Sequence, residues 1–209
     1  WAHRTLIFRT LKGLESHIDV SSVHPDMLSD GWTFEHCDGA EGDPLYGSKF
    51  ARDLYTRSKP TYTGRVTVPI LWDKQTHQIV SNESSEIIRM FNSAFNAITG
   101  SDSDYYPEAH RQLIDSVNAR VYHAINNGVY KCGFATSPSA YEAAYHELFS
   151  ALDWCDARLS QSRYLVGDTI TEADWRLFTT LVRFDAVYVG HFKCNQRRIA
   201  DYPALSHFT

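Results

Sequence analysis

The pattern of apolar positions is mixed in the first hundred residues. Apolar residues recur at helical spacing from Trp1 to Gly13, and Gly13 is a typical residue just past a helix end. Ile18 to Val23 alternates loosely between apolar and polar residues, which predicts a strand. Residues 24–62 then form a long connection rich in Asp and Gly, with a short helix expected at Phe50–Arg57. This first part therefore predicts an α/β fold.

Thr61–Phe91 contains the clearest sequence of elements in the chain: strand, turn, strand and helix. The β-branched, apolar run Val66–Leu71 predicts the first strand, and His77–Val80 predicts the second. Pro69 interrupts the first strand because it lacks a backbone N–H, and the Val68–Pro69 bond is a candidate for the cis form. Ser81 or Asn82 is expected to cap the following helix.

Only helical patterns follow Pro107. We expect one amphipathic helix over Leu113–Ile125 and another that begins at Ser137 or Ser139 and runs to Leu159. Thr171 followed by Asp174 is a capping box that opens a further helix. The small and polar residues 99–107 are typical of a linker. The sequence thus predicts two domains, residues 1–98 with α/β structure and residues 99–209 with all-α structure.

Composition and charge exclude several classes of protein. The 209 residues are 43% hydrophobic and 22% charged, which is typical of a globular protein, and the net charge of −5 does not favour nucleic acid as a partner. No apolar run approaches the roughly 20 residues that span a membrane. The four cysteines are far apart, so neither a zinc site nor a disulfide framework is expected, and a reducing cytoplasm is the expected compartment. His36–Cys37 alone offers too few ligands for a metal.

Glu83 and Ser84 are the first candidate site residues, because they lie between a strand and the start of a helix. Unpaired N–H groups at a helix N-terminus favour a carboxylate, and Glu83 could hold an ammonium group. The backbone of Val68, just before Pro69, could pair with an extended peptide. These groups would hold a small zwitterionic peptide. The alternative interpretation is an ordinary helix cap beside a bend in a strand.

A Val-Pro on a strand followed by a Glu-Ser that opens a helix resembles the glutathione site of glutathione transferases. Further blocks resemble one branch, the glutathionyl-hydroquinone reductases of the xi class. These blocks are WAHRTLIFRTLKGLE at Trp1–Glu15, DGWTF at Asp30–Phe34, GRVTVPILWD at Gly64–Asp73, SNESSEIIRMFN at Ser81–Asn92, NNGVYKCGFA at Asn126–Ala135 and the stretch Leu177–Asn195. They occur in the family's order along nearly the whole chain.

The resemblance implies a thioredoxin-like N-terminal domain followed by an all-helical domain, with glutathione as co-substrate and no metal. It implies that glutathione contacts Trp32, Arg65, Val68, Glu83 and Ser84. Taken alone, a tryptophan in a loop, such as Trp32, is more often a local hydrophobic anchor than a ligand contact. The resemblance also implies that Tyr130 and Tyr188 contact the hydroquinone, although each could otherwise be an ordinary core aromatic.

The family's nucleophile is a cysteine in a Cys-Pro directly before the Trp-Ala-His-Arg. That cysteine would lie ahead of Trp1, at the N-terminus of a helix with His3 and Arg4 in its first turn, where a thiolate is stabilised. We therefore expect a first strand before Trp1 and a further C-terminal segment, and no hydroquinone reductase turnover by these 209 residues alone. None of the four cysteines fits this role. Cys132, beside Lys131, comes nearest, although it is more simply a small residue near a helix end, and Cys155 is expected to be a core residue.

The predicted activity is the glutathione-dependent reduction of glutathionyl-hydroquinones. Two alternatives stay open: a binding module that keeps the glutathione site without chemistry, and an omega-like thioltransferase with the same mechanism and other substrates. The blocks around Trp32 and Tyr188 favour the xi class over the omega class. Expected partners are glutathione and glutathionylated quinols, without nucleic acid or membrane, in a cytoplasmic homodimer.

Overall fold

The structure is a computed structural model that describes all of residues 1–209, and it divides into two compact units. The first unit comprises Trp1–Ser103 and the second Asp104–Thr209. The first unit combines helices with a small sheet, whereas the second contains helices only. This confirms the predicted combination of an α/β part and an all-α part. The predicted boundary at residues 98 and 99 stays a prediction.

The sheet of the first unit has two antiparallel strands flanked by helices. Leu71 pairs with Ser81, and a bulge follows Leu71. The first helix packs against the third and buries Phe8. The elements are α1 (His3–Leu11), α2 (Ala51–Ser58), β1 (Leu71–Asp73), β2 (Gln78–Ser81), α3 (Ser84–Ser93) and α4 (Asn96–Thr99).

The predicted strand at Ile18–Val23 is wrong. This segment lies in irregular structure, because no other strand pairs with it. The carbonyl oxygen of Ile18 instead accepts a hydrogen bond from Arg9 Nε at 2.6 Å. Alternation predicts a strand only where a neighbour can satisfy the backbone groups, and that neighbour is lacking here.

The predictions for the central stretch need two corrections. The first strand begins at Leu71 rather than Val66, while the Val68–Pro69 bond is cis as expected. The residue that caps α3 is Glu83 rather than Ser81 or Asn82, since the Glu83 carboxylate accepts a hydrogen bond from Ser85 N. A glutamate at this position can do so because its backbone is extended, with φ −104° and ψ 115°.

The second unit is built around one core in which the long helix α7 is central. Leu148, Leu152, Cys155 and Leu177 are fully buried there. Its helices are α5 (Arg111–Val121), α6 (Gly128–Gly133), α7 (Pro138–Leu159), α8 (Glu172–Arg183), α9 (Val189–His191) and α10 (Pro203–Phe208). Short 3₁₀ turns occur at Glu108–His110 and Ile199–Asp201.

Two wide turns of π-helical geometry interrupt the helical path of the second unit. They span Tyr122–Asn126 and Phe184–Tyr188. The backbone N–H of Asn127 bonds to the carbonyl of Tyr122, five residues earlier, at 2.9 Å. An α-helix closes this bond after four residues, so each wide turn holds one residue more than α geometry requires.

The capping box predicted at Thr171–Asp174 is confirmed. Asp174 Oδ2 accepts hydrogen bonds from Thr171 N at 2.8 Å and Thr171 Oγ1 at 3.0 Å. Asp174 Oδ1 also accepts from Leu165 N at 2.8 Å, which joins the helix start to the preceding loop. The carboxylate is buried, and this burial raises the pKa of Asp174.

Candidate functional site

The start of α3 exposes a carboxylate and buries a hydroxyl. Glu83 is exposed, and its Oε1 accepts hydrogen bonds from Ser85 N and Ser85 Oγ, both at 3.1 Å. Ser84 is only 2% exposed, and its Oγ lies 3.4 Å from the same Glu83 oxygen. An accessible carboxylate can bind an ammonium group, and the helix N-terminus beside it can bind a carboxylate. Together they suit the two charged groups of an amino acid.

A three-residue hydrogen-bond network joins this helix start to the segment that carries Val68. Tyr55 OH donates to Thr67 O at 2.8 Å and accepts from Thr67 N at 3.2 Å. Asn82 Nδ2 donates to Tyr55 OH at 3.0 Å and to Thr67 Oγ1 at 3.1 Å. Val68 follows Thr67 directly, and Glu83 follows Asn82. The network therefore holds the two predicted contact segments next to each other.

Trp32 and Arg65 lie beside the same part of the first unit. Trp32 is partly buried and packs on the cluster of Phe34, Ala51 and Leu54, as does Val66. The Arg65 side chain is exposed, and its carbonyl oxygen accepts a hydrogen bond from Tyr62 OH at 2.7 Å. Trp32 thus has the anchoring contacts of the simpler interpretation, while Arg65 offers an accessible cation.

A second arginine lies beneath the helix start and is almost entirely buried. Arg4, in the first turn of α1, is 1% exposed, and its Nη1 lies 3.4 Å from Ser84 Oγ. Its guanidinium carbon is 4.7 Å from the centre of the Trp1 ring. These contacts connect the first turn of α1 directly with a predicted glutathione residue.

In the second unit, Tyr130 and Tyr188 belong to a cluster of four aromatic rings with Phe134 and Phe192. The Tyr130 and Tyr188 ring centres are 6.0 Å apart, and the Phe192 ring lies 5.5 Å from the first and 5.4 Å from the second. Tyr188 is 6% exposed, and burial, followed by a hydrogen bond with Tyr130, raises the pKa of its phenol. The Tyr188 phenol therefore stays protonated at neutral pH, and a phenolic O–H can donate a hydrogen bond to an oxygen.

Gly133 allows this cluster to form. A Cβ atom at this position would lie 2.4 Å from Cγ and Cδ1 of the Phe192 ring. Such a contact is far below van der Waals distance, so any side chain at Gly133 would displace Phe192. Sequence reasoning missed Gly133 because its requirement comes from a residue far along the chain.

None of the four cysteines has the setting of an activated nucleophile. Burial raises the pKa of Cys155 to about 12. Cys194 is fully buried, and its hydrogen bond to Cys132 together with burial raises its pKa. That bond lowers the pKa of Cys132, but the Cys132 side chain is 4% exposed within the helical core. Cys37 is partly exposed on a loop of the first unit.

The structure contains no group of three or more His, Cys, Asp and Glu side chains that could hold a metal ion. None of its helices is long and apolar enough to cross a membrane.

Comparison with known protein families assigns both units. The family described as "Glutathione S-transferase, N-terminal domain" matches residues 1–94, and "Glutathione S-transferase, C-terminal domain" matches residues 138–208. The chain is 57% identical to glutathionyl-hydroquinone reductase PcpF of Sphingobium chlorophenolicum over 206 residues, which are 99% of this chain and 66% of PcpF. It is also 57% identical to glutathionyl-hydroquinone reductase YqjG of Escherichia coli, covering 100% of this chain and 64% of YqjG.

Solved structures agree with the sequence matches. The glutathione-bound structure of YqjG superposes with a TM-score of 0.98 and covers 100% of this chain and 68% of the other. The structure of glutathione transferase Xi 1 from Trametes versicolor, 59% identical, has a TM-score of 0.97 and covers 100% and 74%. The chain spans about two thirds of the length of the curated relatives it matches, 66% of PcpF and 64% of YqjG. With its thioredoxin-like N-terminal domain and helical C-terminal domain, the chain belongs to the xi class of the glutathione transferase family, the group that includes the glutathionyl-hydroquinone reductases.

Proposed function

We propose that the full protein is a glutathionyl-hydroquinone reductase and that residues 1–209 supply its glutathione site and its hydroquinone contacts. The observation that carries this proposal is the network of Tyr55, Thr67 and Asn82, which holds the Val68 segment beside Glu83 and Ser84. A peptide that ends in a free amino acid group requires two features side by side. One is a backbone segment that pairs with the peptide, and the other is a pair of groups that bind the ammonium and the carboxylate.

Glutathione contacts Trp32, Arg65, Val68, Glu83 and Ser84 in this proposal. Glu83 holds the ammonium group of the glutamyl residue, while Ser84 and the start of α3 hold its carboxylate. The backbone of Val68 pairs with the peptide, and the exposed Arg65 cation contacts an acidic group. Trp32 covers the bound tripeptide with its indole ring.

The reaction has two steps, and a cysteine ahead of Trp1, expected from the family resemblance, is the nucleophile. Its thiolate attacks the sulfur of the glutathionyl-hydroquinone, the carbon–sulfur bond breaks, and the ring carbon takes up a proton. The enzyme then carries a mixed disulfide with glutathione. A second glutathione attacks this disulfide, restores the thiol and leaves as glutathione disulfide.

Tyr130 and Tyr188 are the residues that contact the hydroquinone. Each carries a phenolic O–H that can donate a hydrogen bond to an oxygen of the hydroquinone and stabilise negative charge on it as the carbon–sulfur bond breaks. Phe134 and Phe192 extend the aromatic surface around them. We further propose that the protein is a homodimer in the cytoplasm. The four free cysteines agree with a reducing compartment.

The test is an assay of the full-length protein with a glutathionylated hydroquinone and excess glutathione, followed by release of the hydroquinone. Wild-type protein should turn over the substrate, and Glu83→Gln should lower kcat/KM about tenfold or more, because a charge-assisted contact to the ammonium group is lost. The matched control is Glu142→Gln, which removes an exposed carboxylate from α7 in the second unit.

Each alternative function gives a different result in this assay. A non-catalytic binding module would bind glutathione without releasing hydroquinone. An omega-like thioltransferase would reduce a small glutathione mixed disulfide faster than a glutathionylated hydroquinone. Either result would replace the proposed reductase activity.

A further inference from the structure

We propose that Arg4 is a positioning residue for the glutamyl carboxylate of glutathione, acting through the hydroxyl of Ser84. This inference rests on the proposed glutathione site and adds a residue from a different helix to it. Arg4 belongs to α1, whereas Ser84 is the first residue of α3, and 80 residues separate them. The packing of α1 against α3 brings the two together.

The chemistry of the guanidinium group decides which partner donates the hydrogen bond. An arginine carries N–H donors and no acceptor, so Ser84 Oγ must accept from Arg4 Nη1 across the 3.4 Å that separates them. The Ser84 hydroxyl proton must then point away from Arg4. Its available acceptor within the structure is Glu83 Oε1, also at 3.4 Å. Arg4 therefore makes Ser84 a dedicated donor at the start of α3.

A dedicated donor at a helix N-terminus is suited to a carboxylate. When glutathione binds, the hydroxyl proton can turn from Glu83 to the glutamyl carboxylate, and Glu83 is left to hold the ammonium group. The charge of Arg4 adds to the positive end of the α3 dipole on the same side. Because Arg4 is 1% exposed, water screens its charge only weakly.

The site should consequently distinguish a carboxylate from a neutral amide of the same shape. The probe is S-methylglutathione, whose blocked sulfur excludes any effect of Arg4 on a neighbouring thiol. The comparison ligand is S-methylglutathione in which the α-carboxylate of the glutamyl residue is a carboxamide. Calorimetric titration of the full-length protein with each ligand gives two dissociation constants for every variant.

We expect wild-type protein to bind S-methylglutathione and to bind the carboxamide more weakly. Arg4→Met should weaken S-methylglutathione binding roughly ten- to a hundredfold, in line with the loss of a charged partner, and leave the carboxamide affinity nearly unchanged. Arg4→Lys should restore part of the loss because it keeps the charge. If Arg4→Met does not fold, Arg4→Lys carries the test with a smaller loss that is again confined to the carboxylate ligand.

Arg9→Met is the matched control. Arg9 lies on the same helix, and its guanidinium donates to the carbonyl oxygens of Ile18 and Glu15, away from α3. This variant should bind both ligands as wild type does.

Two results would overturn the inference and can be told apart from failure of the proposed site. Equal affinity of Arg4→Met and wild type for S-methylglutathione, or an equal loss for both ligands, would exclude the positioning role of Arg4 alone. A wild-type protein that binds neither ligand would exclude the proposed glutathione site, and the role of Arg4 with it.

Discussion

Asn82 Nδ2 donates a hydrogen bond to Thr67 Oγ1 at 3.1 Å, across 15 residues of chain. The bond joins the residue before Val68 to the residue before Glu83. Tyr55, which lies in α2, contacts both Thr67 and Asn82 through its hydroxyl, so three segments of the chain meet at one phenolic oxygen. The relative position of the two segments of the proposed glutathione site therefore depends on side chains other than the proposed contact residues.

Replacing Tyr55 by Phe should weaken glutathione binding and lower stability. The change removes the partner of Thr67 N and of Asn82 Nδ2 while it keeps the ring, and unpaired polar groups in this partly buried place cost about 1–3 kcal/mol. Thermal unfolding and calorimetric titration with glutathione measure the two effects. Tyr46→Phe is the control, because its hydroxyl contacts Trp72 Nε1 and His77 Nδ1 instead. An unchanged glutathione affinity in Tyr55→Phe would contradict the role of the network.

The sequence predicted those features that depend on neighbouring residues. The capping box of Thr171 and Asp174 and the long helix predicted from Ser137 or Ser139 follow from local spacing. Both are present, and the helix spans Pro138–Leu159. The strand at Ile18–Val23 was wrong because a strand requires a partner elsewhere in the chain. The cap of α3 was misassigned because several polar residues in a row could serve, and only the extended backbone at Glu83 decides between them.

The supporting residues of the candidate site were not predictable for the same reason. Tyr55 is separated from Asn82 by 27 residues and Arg4 from Ser84 by 80 residues. Neither pair leaves a periodic or spaced signal in the sequence. The residues Val68, Glu83 and Ser84 were identified from a local pattern, a Val-Pro on a predicted strand and a Glu-Ser that opens a helix, and the family resemblance supported that interpretation. Their contact with glutathione stays a prediction.

The two tyrosines of the aromatic cluster should affect turnover more than binding of glutathione. Tyr188→Phe and Tyr130→Phe each remove one phenolic donor and keep the ring, so we expect kcat to fall roughly ten- to a hundredfold, as for loss of a group that stabilises developing charge. Steady-state kinetics with a glutathionylated hydroquinone and titration with glutathione separate the two effects. Tyr145→Phe is the control within the same unit. Unchanged kcat in the double variant Tyr130→Phe and Tyr188→Phe would contradict the assignment.

Asp174→Ala should destabilise the second unit. The carboxylate accepts bonds from Thr171 and from Leu165 N within the buried start of α8, so its loss should cost about 2–4 kcal/mol. Thermal or urea unfolding measures this loss. Asp201→Ala is the control, because Asp201 completes a similar cap at an exposed turn and its loss should be smaller. Equal losses in the two variants would contradict the importance of burial.

The cost of Asp174→Ala should also depend on pH. Burial raises the pKa of Asp174, so the folded protein holds this proton more tightly than the unfolded chain, whose Asp pKa is about 4. The associated stability is fully present below the unfolded pKa and is lost as the pH rises through the folded pKa. The difference between wild type and Asp174→Ala should therefore be larger at acid pH than at neutral pH. Unfolding at several pH values measures it, and a difference that grows toward neutral pH would contradict this sign.

Among the four cysteines of residues 1–209, Cys37 should react first with a thiol reagent at mildly alkaline pH. It is the least buried, whereas the pKa of Cys155 is about 12 and its thiolate is rare under these conditions. Peptide mapping after timed alkylation of the folded protein identifies the modified residue. Cys37→Ser should abolish the early modification, and unfolding in urea should expose the remaining three. Rapid labelling of Cys155 in the folded state would contradict its burial.

The wide turn at Phe184–Tyr188 absorbs one residue of chain length without moving the side chains that follow it. An α-helix advances by about 100° per residue, so one residue added to a regular helix would rotate every later side chain around the axis by that angle. The wider closure of this turn takes up the additional residue, and Phe192 keeps its place against Gly133. A relative with a one-residue gap here would therefore present the same aromatic surface through a regular helical turn.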